Sequence, residues 1–245
     1  MKSAASRAGG SGVVFGVGLE EVMQRPGESS IPSVLKQMVA YLSELGLSEP
    51  LFRQPANTKE LQDLRYNLNK GGRVDYEAKP RPELVAGLFK LYLRELPEPL
   101  LTFPLYSAFL AASEESDEKK RTALLSELMG QLPKPNRLLV ELIIKFLARL
   151  CLHVDANHVS PIFLAHIFTH IFLRPKFETI ETMVQLPKAI NLMQLLIETD
   201  PELLGANTFG LVGDHHDYRE PHRRRRAKLA SREPPGRLAA HDRRR

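Results

Sequence analysis

An all-helical bundle is the fold class this sequence predicts, and three features predict it. Apolar residues return every three or four positions through most of residues 13–205, the spacing of helices with one buried face. No segment alternates apolar and polar residues as a half-buried strand does, and no hairpin signal or internal repeat is present. Gly and Pro fall between the apolar runs, where helices start and stop. Apolar residues are 43% of the 245, enough for one sizeable core.

Taken in order, residues 1–12 read as a disordered N-terminus, small, polar and Gly/Ser-rich, without the apolar centre of a secretory signal. A helix over 31–45 places Ile31, Val34, Leu35, Met38, Leu42 and Leu45 on one face, with Ser30 as cap, Pro32 in the first turn and Gly46 at the end. Residues 58–69 form a second amphipathic helix, capped by Thr58, with Leu61, Leu64 and Leu68 inward. A third runs over 82–96 and is stopped by LPEPLL, whose two prolines forbid continuation. Helices over 103–112 and 119–132 follow, separated by the acidic SEESDE. The run 137–152 is apolar nearly all round, the pattern of a central helix buried on most sides. Ser160 and Pro161 open a helix to about residue 173, and 188–198 is the last.

Beyond the helical domain, residues 206–245 change character. They carry four consecutive arginines (223–226), a PPG and a terminal RRR, and cannot bury enough apolar surface to offset the entropy of ordering. Two readings stand for this composition, expected to be disordered: a solvated tail, or a patch for an anionic surface such as a membrane. The formal charge of +5 belongs to this tail. Residues 211–245 hold 11 Lys/Arg against 5 Asp/Glu, leaving 23 against 24 in residues 1–210. A near-neutral body argues against a domain that binds a phosphate backbone, so no nucleic-acid partner is expected.

No stretch approaches the ~18 apolar residues of a membrane span. The single cysteine, Cys151, makes no internal disulfide and lies in an apolar run, as a buried, inert thiol does. A cytoplasmic protein is expected, with the tail as the candidate for peripheral membrane contact.

Two segments carry chemistry. In PLFRQPANTKEL (50–61), Arg53 follows the apolar Leu51 and Phe52 and precedes Pro55, a charge on the lip of a loop. In FKLYLRELPEPLL (89–101), Lys90 and Arg94 stand four apart and share a helix face. Taken alone, that pair reads equally as a solvated face neutralised by Glu95 or Glu98. The ordered set FGVGLEEV (15–22), an IP-initiated helix at 31, LFRQPA (51–56) and FKLYLRELPEPLL resembles the Rho GTPase-activating protein (RhoGAP) domain family, from about residue 15 to 204.

The resemblance implies an all-α domain that binds GTP-loaded Rho-family small GTPases and speeds their hydrolysis, taking part in small-GTPase signal transduction. The family's arginine finger falls on Arg53, and its helix lysine and arginine fall on Lys90 and Arg94. Such a domain is not itself a hydrolase and needs no cofactor, since GTP and Mg²⁺ belong to the partner. A cation supplied in trans to phosphoryl transfer stabilises charge on the transferring group and leaving oxygen, an effect on the order of 10³–10⁵ in rate.

The chain departs from the family pattern twice. Pro50 stands where a glycine precedes the finger. In FLAHIFTHIFLRP, Phe163 stands at the asparagine that steadies the finger, and Thr169-His170 replaces a Gly-Pro. A phenyl ring offers no hydrogen bond, though it can stack on a guanidinium. The expectation is an altered or impaired activator, with Phe163 and His170 on the partner-binding surface. The alternative is a module of the same shape that binds a GTPase or other signalling protein without accelerating it. His166 and His170 have the i, i+4 spacing of a metal pair, but no third ligand is evident, so no metal is expected.

Overall fold

A computed structural model describes residues 12–28 and 30–204, and within them the chain forms eleven α-helices and one 3-10 helix, with no strand. In order these are α1 (Leu19–Met23), α2 (Ser33–Leu45), α3 (Thr58–Asn69), α4 (Pro82–Glu95), α5 (Tyr106–Ser113), α6 (Glu118–Gln131), α7 (Lys134–Leu152), α8 (Val154–Asn157), α9 (Pro161–Phe172), α10 (Ile180–Val184), α11 (Leu186–Glu198) and the 3-10 turn Pro201–Leu204. The expectations of a disordered segment over 1–12 and a basic tail over 206–245 fall, apart from Gly12, outside the described residues.

The all-round apolar run does form the axis of the bundle. Twelve of the nineteen residues of α7 are buried, and α1, α2, α9 and α11 all pack on it. α9 lies between α7, α4 and α11, and α4 in turn packs on α2 and α3. Phe89, Tyr92, Phe109, Phe168 and Phe172 are the largest side chains wholly buried in this core, and Cys151 is buried with them.

Helix ends follow local hydrogen-bond chemistry, which corrects two expected caps. Pro32, not Ser30, is the N-cap residue of α2 and has no side-chain oxygen. The Glu28 carboxylate supplies the acceptor instead, taking bonds from the Ser33 N–H at 2.7 Å and the Ser33 hydroxyl at 2.8 Å. Thr58 is the first helical residue of α3 rather than its cap. The Asn57 amide oxygen, one residue earlier, accepts from the N–H groups of Lys59 and Glu60. Ser160 caps α9 as expected, accepting from the Phe163 N–H at 3.3 Å. The remaining helices start or end within a few residues of their expected bounds. The short α1, α8 and α10 were not expected, since four or five residues are too few to reveal a helical period.

The proline-rich LPEPLL segment is held by its neighbours rather than by its own helix. The N–H groups of Leu100 and Leu101 donate to the carbonyls of Ile171 and Phe172 at the end of α9, at 3.4 and 2.9 Å. Asn136 donates to the Leu100 carbonyl at 3.0 Å, and Arg174 to the Leu96 carbonyl at 2.7 Å. This fixes the C-terminal end of α4, and with it the direction in which Lys90 and Arg94 project.

Gly46 ends α2 where α7 comes close. A Cβ there would meet Leu150 Cδ2 at 2.2 Å and Leu51 Cδ1 at 2.9 Å. Overpacking of this kind costs about 1–3 kcal/mol. Gly46→Ala is therefore expected to lower the unfolding free energy measured in urea by that amount, while far-UV circular dichroism stays helical.

Candidate functional site

The loop between α2 and α3 places Arg53 at the surface on a buried root. Leu51 and Phe52 are 3% and 6% exposed, whereas Arg53 is exposed. A turn closes the loop, with the Arg53 N–H donating to the Pro50 carbonyl at 3.4 Å. Only the carbonyl of Pro50 enters that turn, so a residue without an N–H is accommodated. Phe52 has φ +70°, the backbone that a type II turn needs at its third residue and that glycine usually supplies.

A bulky residue in that conformation costs about 1–3 kcal/mol and persists only when its surroundings hold it there. The surroundings here are aromatic. The Phe52 ring meets Phe168 of α9 edge-on at 5.2 Å between centroids and Phe146 of α7 at 6.3 Å. Phe89 of α4 closes the cluster, 6.1 Å from Phe146 and 6.3 Å from Phe168. Each such pair contributes about 0.5–1.5 kcal/mol beyond the area it buries, enough together with burial to offset the turn.

The Arg53 guanidinium is held at two points. One terminal nitrogen donates to the His158 carbonyl, and its central carbon lies 4.5 Å from the centroid of the Phe163 ring. His158 ends α8 with φ +56°, which turns its carbonyl toward the loop. The residue before it, Asn157, is completely buried. Its amide donates to the carbonyls of Gly46 at 2.7 Å and Leu150 at 2.8 Å, and its oxygen accepts from the Val159 N–H at 2.9 Å. Asn157 thus ties the ends of α2 and α7 to the entry of α9, the frame on which Arg53, His158 and Phe163 sit.

Lys90 and Arg94 lie on the neighbouring face of α4. Neither is neutralised by Glu95 or Glu98. The Glu95 carboxylate is taken by Arg65 of α3 in a two-nitrogen pair at 2.9 and 2.8 Å, and Glu98 accepts from the Phe103 N–H at 2.9 Å. Among the described residues no carboxylate pairs with Arg53, Lys90 or Arg94. Lys90 is partly buried, its ammonium 5.8 Å from the Phe52 ring centroid. Burial, and then the Arg94 charge, lower its pKa from the usual lysine value.

Four of the expected site residues therefore gather about the Phe52 root: Arg53 and Phe163 in direct contact, Lys90 on the Phe52 ring, and Arg94 one helical turn from Lys90. His170 does not join them. It is exposed on α9 about 10 Å along the axis from Phe163, and no contact links it to Arg53. Thr169 is buried and spends its hydroxyl on the Ala165 carbonyl at 2.6 Å. His166 is also exposed, and no three His, Cys, Asp or Glu side chains among the described residues group as metal ligands.

Sequence reasoning missed Asn157, His158 and the Arg65–Glu95 pair. An Asn-His pair just before the Ser160-Pro161 helix start was the available sign, since Asn favours turns and helix ends. The arrangement is an exposed cationic patch on rigid supports, suited to an anionic group presented by another molecule. An open cavity of about 510 Å³ elsewhere, between α5 and α6 and lined by Ala108, Ala111, Leu124 and Leu128, shares no residue with it. No helix among the described residues is long and apolar enough to cross a membrane.

Comparison with known proteins agrees with the fold and the motif order. The RhoGAP domain matches residues 32–177. Rho GTPase-activating protein gacY of Dictyostelium discoideum is 34% identical over 189 residues, 76% of this chain and 26% of that protein. Rho GTPase-activating protein 1 of Homo sapiens is 35% identical over 156 residues, 63% of this chain and 35% of that protein. The crystal structure of human Rho GTPase activating protein 15 superposes with a TM-score of 0.71 at 25% identity, covering 76% of this chain and 90% of that one. The chain spans about a quarter to a third of the length of these curated relatives.

Two outcomes follow for the site's frame. Asn157→Ala leaves three backbone groups without their buried partner and is expected to cost about 2–3 kcal/mol in urea unfolding. Lys90→Met removes a half-buried cation that the folded state holds less readily than the unfolded state does. The lowered pKa makes the unfolded chain bind more protons below the ordinary lysine range, so this penalty is full at neutral pH and fades as pH rises through that range. The methionine variant is expected to have a higher urea midpoint at neutral pH, with the gain shrinking as pH rises toward 10.5.

Proposed function

The chain belongs to the RhoGAP domain family, and from that premise we propose that it stimulates GTP hydrolysis by a Rho-family GTPase, with Arg53 as the arginine finger. The observation that carries this reading is the Arg53 loop itself. Its root is locked by the Phe52 ring cluster, and one edge of its guanidinium is held by His158 while the other nitrogens have no acceptor among the described residues. A charged fork kept at the surface with free N–H groups suits the oxygens of a transferring phosphoryl group.

The mechanism is positioning plus electrostatics. As the terminal phosphate bond of GTP breaks in the partner, negative charge grows on the transferring group and the bridging oxygen. Arg53 enters that site as a fixed cation, and because its loop is already ordered, little entropy is lost on docking. The partner holds the GTP and Mg²⁺, so this chain contributes no hydrolase chemistry of its own. Lys90 and Arg94, without a carboxylate partner among the described residues, face acidic groups of the partner and act mainly on association rate and loop order. Phe163 and His170 belong to the contact surface along α9. A cytoplasmic setting, with residues 206–245 as a contact for anionic membrane, is part of the same proposal.

A second reading rests on one residue. Phe163 stands where the family pattern has asparagine, so the domain can bind a GTP-loaded partner without accelerating it.

Turnover of GTP by Rho-, Rac- and Cdc42-like GTPases, with and without the protein, separates the two. In the first reading wild type accelerates at least one of them, Arg53→Ala loses about 10³-fold or more of the acceleration, and Arg53→Lys recovers little. Equal stimulation by wild type and Arg53→Ala would reject the finger. In the second reading wild type binds without acceleration, and Phe163→Asn gains it.

A further inference from the structure

We propose that the Phe163 ring and the His158 carbonyl form a berth that holds the Arg53 guanidinium in its working orientation before any partner arrives, making Phe163 a positioning residue that acts through a π face. The functional half of this inference rests on Arg53 being the finger; the berth itself belongs to the free domain.

The two contacts are complementary. The carbonyl engages one terminal nitrogen of Arg53, and the ring covers the guanidinium at 4.5 Å from its central carbon. A ring has no donor or acceptor in its plane that competes for the guanidinium N–H groups, so stacking restrains the cation while leaving its remaining donors open. An amide at this position would occupy one of them.

Each half of the berth is itself immobilised. The His158 carbonyl is aimed by the left-handed backbone at the end of α8 and by the buried Asn157 beneath it. Phe163 sits in the first turn of α9, where Ser160 caps its N–H and the adjacent Leu164 and Ala165 are completely buried. The backbone of the berth is therefore fixed to the ends of α8 and α9. A long side chain such as arginine otherwise samples many rotamers, and restricting them in the free state removes part of the ordering that docking requires. A cation–π contact at a solvent-exposed site is worth about 0.5–1 kcal/mol, a factor of roughly 2–5.

The test begins with the protein alone. In arginine-labelled samples, with the Arg53 signal assigned by its loss in Arg53→Lys, ring current from Phe163 is expected to displace the Arg53 side-chain protons upfield. Phe163→Tyr keeps that displacement and Phe163→Leu abolishes it, while both retain the wild-type melting profile within a few degrees. In the turnover assay at saturating activator, Phe163→Leu lowers the stimulated rate about 2–5-fold, Phe163→Tyr restores it, and Phe163→Leu has no added effect in an Arg53→Ala background. Arg53 signals identical in wild type and Phe163→Leu overturn the berth. A displaced signal with unchanged turnover in Phe163→Leu overturns the positioning role. If no GTPase responds to wild type at all, the activator reading falls, and the resonances still decide the berth.

Discussion

The packing of the Phe52 ring against Phe168 and Phe146 is the interaction on which the site depends. It makes a phenylalanine tolerate a backbone conformation suited to glycine, and in doing so forces the next residue outward. Alternation of a buried and an exposed residue is ordinary in loops. Here the buried one is clamped by three helices of the core, so the exposed one inherits the rigidity of the bundle. Interiors packed at crystal-like density transmit such constraints with little slack. Arg53 on this mount is positioned by the hydrophobic core through the buried Phe52 next to it.

The distribution of carboxylates is the second determinant. α4 carries Lys90 and Arg94 beside Glu95, and in isolation the helix would neutralise itself. Arg65 on α3 draws the Glu95 carboxylate into a two-nitrogen pair, and that hydrogen bonding raises the Arg65 pKa above its usual value. Glu98 is likewise occupied by the Phe103 N–H. Occupying those acids elsewhere leaves Arg53, Lys90 and Arg94 without a carboxylate partner among the described residues. Such a face attracts negative charge at long range and is screened by salt, properties suited to a protein that must find and release another.

Membership in the RhoGAP family sets the architecture, and within it Phe163 of α9 sets the contact that Arg53 makes. Its ring is in stacking contact with Arg53. Stacking is less directional than a hydrogen bond and takes no donor from the guanidinium, so restraint and availability coexist at one residue. The buried Asn157, at the end of the preceding helix α8, provides the directional part by fixing the carbonyl that receives Arg53.

Much of this was legible in the linear chain. Helical periodicity located all the long helices, because burial of one face imposes a spacing that composition cannot disguise, and the apolar run 137–152 identified the helix at the centre. Arg53, Lys90 and Arg94 were legible because apolar anchors and proline stops bracket them. Helix caps at Glu28 and Asn57 were not, since the capping oxygen competes among several nearby candidates and only geometry selects one. The sequence alone therefore determined the class of fold and which residues stand at the surface of the site, both being consequences of local pattern. Tertiary structure alone decided that Glu95 would leave Lys90 and Arg94 unpaired, and that His158, 105 residues from Arg53 along the chain, would hold its guanidinium. Those choices depend on which distant groups the packed core brings within reach, and no local spacing encodes that.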